Sequence, residues 1–426
     1  MDKDALIQRV SLAFLIASCS CICFANDDLF DELDAETTAP SVRRAATQQK
    51  DMKQHADDAF AQLESETRHG TQSQSSAELD AEFQVWKQQY FEELSRYKRE
   101  ILKIWDDAEV TDKTTWVEYS ADMKTKKVVD YERNEIRISV IQDDEKATTT
   151  IPVEAVVEEI IATDTAKARE KDPVIAAISK KQTEPQAIDN DSQLMLAELI
   201  KEPGNKNSER QLASQLSRKA QTDTTQAKTP GYKPITTVTI KLPVDAVLKR
   251  AQQYAETVAA QAQRNNIDKS LIYAVMHTES AFNPMARSNI PAFGLMQIVP
   301  ESAGRDATRL LHGEERILDA NYLFNPKNNI EVGAAYINIL YYKYLKEISN
   351  PLSRLYCAIA AYNTGAGNVS KAFTGKRKIS KAVPLINSKT PQQVYEQLRS
   401  KLPYDETRIY LKRVVERQQM YAQTQL

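Results

Sequence analysis

The spacing of apolar residues divides the chain into segments of different character. Phe83, Trp86, Tyr90, Leu94, Tyr97, Ile101 and Ile104 recur every three or four residues, which lines one face of a helix. Three β-branched and aromatic runs follow: Trp116 to Tyr119, Lys127 to Tyr131, and Ile136 to Ile141. Turn residues such as Arg133 and Asn134 separate them, so the runs predict a short antiparallel sheet. Val153 to Ala166 returns to a helical pattern, and this first unit is therefore α+β. Residues 181 to 234 are polar and broken by Glu-Pro, Gly-Asn and Thr-Pro-Gly, with Leu194 to Leu199 as the apolar island. A further strand is expected at Thr236 to Leu242. Pro243 then precedes a helical pattern through Leu248, Ala251, Tyr254, Val258 and Ala262, and many short helices follow to the end.

The first 79 residues differ. Lys3 and Arg9 precede an apolar run from Val10 to Ala25 that is short for a membrane span and rich in small residues. Residues 1–25 are thus expected to be a signal peptide. Cleavage after Ala25 is one route; the other uses Ile16-Ala17-Ser18-Cys19 as an imperfect lipobox, with Cys19 lipidated. Residues 26–79 are acidic and then rich in Gln, Ser, Thr and Ala, as in a disordered tether. The expected division is then an α+β amino-terminal domain over 80–242, with a polar insertion near 181–234, and a mainly helical domain over 243–426.

Charge adds little. Of the 426 residues 27% are charged, yet the net charge is −3, which gives no general case for nucleic acid or an acidic partner. Lys376, Arg377, Lys378 and Lys381 form a local basic cluster, read as a solvated loop. Cys19, Cys21 and Cys23 sit in the first apolar run, so Cys357 has no disulfide partner in the body of the chain and reads as a buried, inert thiol. His55, His69, His277 and His312 lack metal-ligand spacing.

Candidate chemistry lies in the stretch from Asp268 to Phe282. Asp268 can cap a helix whose buried stripe is Leu271, Ile272, Val275 and Met276. Glu279 is four residues after Val275 and three after Met276, so it projects from that stripe. A carboxyl placed there loses hydration and its pKa should rise, as a general acid requires. The same position also suits an ordinary helix-end carboxylate.

Further motifs follow in order. They are Glu279-Ser280, Asn283-Pro284, Ala286-Arg287-Ser288 and Ala292-Phe293-Gly294-Leu295-Met296-Gln297-Ile298. Then come Asn325-Pro326, Asn329-Ile330, Gly333, Ala361-Tyr362-Asn363-Thr364-Gly365-Ala366-Gly367 and Glu406-Thr407-Arg408-Ile409-Tyr410. In order and spacing this set resembles the soluble lytic transglycosylase family, which has a lysozyme-like fold. The amino-terminal unit from Phe83 to Ile141 is similar to that of membrane-bound, murein-cleaving members of the family.

The resemblance implies cleavage of peptidoglycan glycan strands with Glu279 as the single acid/base. By position it also implies substrate contacts from Ser288, Met296, Gln297, Tyr362, Asn363 and Tyr410. Glu406 is either a further contact or a helix-start carboxylate, and Met296 and Tyr362 also suit core packing. Gly294, Gly365 and Gly367 are expected at backbone turns. No metal or organic cofactor is implied. Family members are typically lipoproteins; a periplasmic location is expected, with attachment to the outer membrane if Cys19 is the lipidated residue and without it if cleavage follows Ala25. Two rivals stay open: a muramidase using water and a second carboxylate (Glu301 or Glu331 by sequence distance), and an inactive peptidoglycan-binding protein.

Overall fold

The computed structural model describes residues 74–142, 151–180, 192–200, 205–227, 229, 231–424 and 426. The expected signal peptide, Cys19 and nearly all of the tether lie outside them.

The aromatic stripe at the start forms helix α1 (Gln74–Leu102), with Phe83, Tyr90, Leu94 and Ile101 buried. Strands β1 (Thr115–Tyr119), β2 (Thr125–Asp130) and β3 (Glu135–Ile141) follow at the three expected runs. The single helix expected over 153–166 is divided between α2 (Val153–Ile161) and α3 (Thr165–Lys171), and α4 (Pro173–Ser179) follows. The break falls at Asp164, whose side chain accepts from the Lys167 N–H and caps α3. Asp172 caps α4 in the same way, ahead of Pro173 at the first helical position.

The polar stretch holds more structure than its composition suggests. It contains α5 (Lys206–Ser217), capped by Asn205, and the fully exposed strand β4 (Gln221–Thr225). Strand β5 (Ile235–Lys241) completes a five-stranded antiparallel sheet in the order β1-β2-β3-β5-β4. Register sets its inner face. Trp116 pairs with Val129, Val129 with Ile136 and Ile136 with Ile240, one apolar row across four strands, all buried.

The rest is helical: α6 (Ala246–Gln252), α7 (Ala255–Asn265), α8 (Lys269–Ser280), α9 (Arg305–His312), α10 (Ala320–Leu323), α11 (Pro326–Ile339), α12 (Pro351–Thr374), α13 (Ile379–Asn387), α14 (Pro391–Lys401) and α15 (Asp405–Gln423). The α+β class expected from the pattern is the class observed. The apolar run through Leu248 and Ala262 is two helices, divided at Tyr254. Helix α8 packs most extensively against α15, and α12 lies against α13, α14 and α15.

One apolar core runs from Tyr90 of α1 through the sheet to Tyr421 of α15. Trp86 and Tyr90 each meet the edge of Phe293 at 5.8 Å, and Phe293 meets Phe324 at 5.6 Å. Arg250, fully buried in α6, joins the parts with polar contacts. It donates to the Tyr131 and Ala281 carbonyls, both at 3.1 Å, to Asn134 Oδ1 at 2.6 Å, and lies 3.3 Å from Glu198. Cys357 is buried, and burial raises its thiol pKa, in line with an inert role. Lys376, Lys378 and Lys381 are exposed and Arg377 half-buried, as for a solvated loop. No helix of the described residues is long and apolar enough to cross a membrane.

Candidate active site

Asp268 accepts from the Ser270 N–H at 2.8 Å and starts α8. Its apolar stripe is buried from Leu271 to Met276, and Glu279 continues that stripe at 5% exposure. The helix stops abruptly because Ala281 (φ 51°) and Phe282 (φ 66°) both take left-handed backbone. Such a conformation is unfavourable for side chains with a Cβ. The surroundings hold it: Ser280 Oγ donates to the Leu295 and Met276 carbonyls (2.8 and 3.0 Å) and accepts from Phe282 N–H (3.1 Å).

Burial and three groups act on the Glu279 carboxyl. Burial raises its pKa above the ordinary glutamate value. The Lys113 ammonium, 3.9 Å from Oε2, and the Tyr410 hydroxyl oppose that rise, and the charge of Glu406 adds to it. Tyr410 is buried on α15, and its hydroxyl acts on the Glu279 carboxyl, lowering that pKa, while burial first and then the Glu279 charge raise its own. Tyr362, half-buried on α12, also senses the Glu279 charge; burial first, then that charge, raises its own pKa.

The loop after α8 is built around one asparagine. Asn329 of α11 accepts from Met296 N–H at 2.7 Å and donates to the Phe293 and Leu323 carbonyls, both at 2.8 Å. Gly294 has φ 75°, and a Cβ there would stand 2.3 Å from both Asn329 Nδ2 and the Leu323 carbonyl. Met296 is fully buried, its sulfur lying where a Cβ on Gly333 would be. Its carbonyl accepts from the Tyr362 hydroxyl at 2.8 Å, which ties loop to α12. Gln297 (φ 49°) donates through Nε2 to the Gly294 carbonyl at 3.1 Å and leaves Oε1 buried without a partner among the described residues.

Glu279, Tyr410, Tyr362 and Glu406 therefore converge, with Met296 one hydrogen bond away through Tyr362 and Gln297 next to it in the chain. Ser288 is half-buried, and its contacts stay in its own turn: its N–H donates to the Ala292 carbonyl at 3.1 Å and its hydroxyl to that of Ile290. Asn363 is half-buried beside Tyr362, two residues before Gly365 (φ 80°, ψ 154°) kinks α12, and no hydrogen bond among the described residues ties it to Glu279. Gly365 and Gly294 meet the expectation of a turn. Gly367 does not: it is buried in helix beyond the kink without positive φ. Of the two carboxylates named by sequence distance, Glu301 accepts from Gln84 at 3.1 Å and Glu331 pairs with Arg264. The carboxylate whose charge acts on Glu279 is Glu406 instead.

Sequence reasoning missed Lys113. It sits on the turn before β1, and its Nζ donates to Glu406 Oε1 at 3.4 Å while facing Glu279. No local pattern marks it, since its partners are 166 and 293 residues away in the chain. A signal did exist for the residues that carry its turn. Arg287 and Asn283 are polar positions within a run that is buried from Glu279 to Arg287. Asn283 Nδ2 reaches the Asp112 and Lys113 carbonyls (3.4 and 3.5 Å), and Arg287 Nε donates to the Thr111 carbonyl (3.2 Å).

Among the described residues no cluster of His, Cys, Asp or Glu could hold a metal ion. What the arrangement offers is a buried, protonatable carboxyl with a cation, a tyrosine hydroxyl and a second carboxylate acting on it.

Comparisons with known proteins bear on the same half of the chain. Residues 256–383 match the family described as "Transglycosylase SLT domain". Proteins named membrane-bound lytic murein transglycosylase C, from Pectobacterium atrosepticum and Sodalis glossinidius, are each 43% identical over 196 residues; the match covers 46% of this chain and 54% of either relative. The chain thus spans about half the length of these relatives. Among solved structures, an inactive mutant of lytic transglycosylase Slt from Pseudomonas aeruginosa aligns at 27% identity with a TM-score of 0.32, over 42% of this chain and 27% of that one. The 70 kDa soluble lytic transglycosylase from Escherichia coli aligns at 24% identity with a TM-score of 0.31, over 39% and 24%. Glu279, the Met296–Gln297 loop and Tyr362 all lie within residues 256–383, the part of the chain that matches the transglycosylase SLT domain family.

Proposed function

We propose that the chain is a peptidoglycan lytic transglycosylase with Glu279 as its single general acid and base. The observation that carries this reading is the Glu279 carboxyl: buried, raised in pKa, and acted on by the Tyr410 hydroxyl and the Lys113 ammonium. The names of the relatives specify murein, which supports the substrate class.

Protonated Glu279 donates to the oxygen linking N-acetylmuramic acid to N-acetylglucosamine. The C1–O bond breaks, the N-acetylglucosamine leaves as an alcohol, and positive charge develops at the muramic C1. The sugar's own 2-acetamido oxygen meets that charge, so no second protein carboxylate is needed as nucleophile. Glu279, now ionised, takes the proton from the C6 hydroxyl, whose oxygen closes on C1. The product is a 1,6-anhydro ring, Glu279 is protonated again, and no water is consumed. Attack within one sugar benefits from an effective molarity on the order of 10⁵ M or more in favourable systems. Tyr410 steadies the carboxylate once it forms. The Gln297 amide, Tyr362, Asn363 and Ser288 orient the glycan, and Met296 lines the cleft.

The amino-terminal sheet places the catalytic helices and, with them, the substrate. Export to the periplasm, with Cys19 as the lipid anchor at the outer membrane, completes the proposal; the envelope is where murein is found. The test is a purified Glu279→Gln protein incubated with cell-wall sacculi. It is expected to bind them as the wild type does and to release nothing, whereas equal release by both proteins removes Glu279 from the mechanism.

A further inference from the structure

Lys113 lies outside the matched SLT domain, on a turn of the amino-terminal unit, yet its ammonium stands between two carboxylates of the candidate site. Its position is fixed by the backbone around it. Asp112 Oδ1 accepts from the Thr114 and Thr115 N–H groups (2.8 and 2.7 Å), which closes the turn. Tyr131 N–H donates to the Thr114 carbonyl (2.9 Å) and joins the turn to the sheet. On the other side Asn283, Arg287 N–H and Arg287 Nε hold the carbonyls of residues 111–113. Arg287 is itself buried against Asp172 at 2.9 Å. The turn is therefore stitched directly to the segment that follows Glu279.

We propose that Lys113 is a positioning residue of the active site, supplied by the amino-terminal unit to hold Glu279 and Glu406 on one cation. This inference rests on the transglycosylase reading. Its role follows from charge. Before bond cleavage Glu279 is neutral and gains little from Lys113. After the proton has left, a buried carboxylate must persist until the C6 hydroxyl gives up its proton. A cation 3.9 Å away stabilises that state and not the earlier one, which is the differential effect catalysis requires. Lys113 also neutralises Glu406, whose like charge would otherwise oppose ionisation of Glu279. The groups facing Glu279 are then Lys113 from the turn before β1, Tyr410 and Glu406 from α15, and Tyr362 from α12. Burial acts against the charge on Lys113, but the two carboxylates outweigh it and raise its pKa, so it stays a cation over the working range.

The experiment is the pH dependence of anhydro-muropeptide release from sacculi by the full chain, for wild type, Lys113→Met, Lys113→Arg and Glu406→Gln. Activity falls on the alkaline side as Glu279 loses its proton. Removing the cation makes ionisation harder, so Lys113→Met should move that limb up by about one pH unit and slow the plateau about tenfold. Lys113→Arg should restore both. Glu406→Gln removes a like charge and should move the limb the opposite way, to lower pH. A slower Lys113→Met protein with an unmoved limb, or unchanged rate and limb, overturns the inference while leaving the transglycosylase reading intact. Absence of anhydro products from the wild type would instead defeat the function on which the inference rests.

Discussion

Glu279, the proposed acid and base, lies on the apolar stripe of α8 three residues after Met276, and the same burial that raises its pKa costs stability. A carboxyl whose folded pKa lies above its unfolded value binds more protons in the native state, so stability falls as pH rises from the unfolded value through the folded one. Glutamine is neutral throughout. Glu279→Gln should therefore melt with the wild type below about pH 4 and at higher temperature than the wild type above pH 7. A thermal denaturation series against pH would show a gap that widens upward; a constant or inverted gap contradicts the burial argument. Tyr410 acts through one hydroxyl aimed at the same carboxyl. Tyr410→Phe should lower the release rate about 10- to 100-fold, as for loss of a hydrogen bond to a charged group, with little change in melting temperature.

At the scale of elements, the site depends on the loop that follows α8. Asn329 satisfies three backbone groups of that loop and its neighbour, using its amide oxygen as acceptor and both amide hydrogens as donors. Asn329→Ala should cost about 2–4 kcal/mol in chemical denaturation, from buried groups left unpaired. Gly294→Ala should cost on the order of 2 kcal/mol or more, because its positive φ and the 2.3 Å approaches leave no room for a methyl group. Glycine and asparagine were visible in the sequence as ordered motifs, but what each held was not. Periodicity located β1, β2, β3 and β5 within two residues, since each buries one face with a regular period; it found the body of α1 but not its first turns, which begin at Gln74 inside the expected tether. It missed α5 and β4. The first is short, polar and stabilised by its Asn205 cap and by packing on α2; the second is exposed throughout and held by backbone bonds to β5. Neither leaves an apolar signature. The split at Asp164 was likewise hidden, because a capping aspartate inside a helical pattern looks like any surface carboxylate.

Over the whole molecule, the amino-terminal unit and the helices share one core, and polar bridges cross between them at the site. Glu279 was legible from its own helix. Lys113 was not, because its proximity depends on how β1, the segment 281–288 and α15 pack together. Arg287 is the hinge of that arrangement: buried, paired with Asp172, and bonded to the turn that bears Lys113. Arg287→Met should leave Asp172 with a buried unpaired charge, destabilise the fold by about 3–5 kcal/mol, and slow cleavage further than the loss of stability alone explains. Comparing activity at a temperature where the variant is still folded separates the two effects. In the proposed mechanism one carboxyl drives both proton transfers with no water taken up. The most direct measurement is the mass of muropeptides released from purified peptidoglycan by the wild type in ¹⁸O-labelled water. The account predicts chains ending in 1,6-anhydromuramic acid, one water lighter than reducing ends and free of the label. Reducing muramic ends carrying ¹⁸O would contradict it and make the protein a hydrolase.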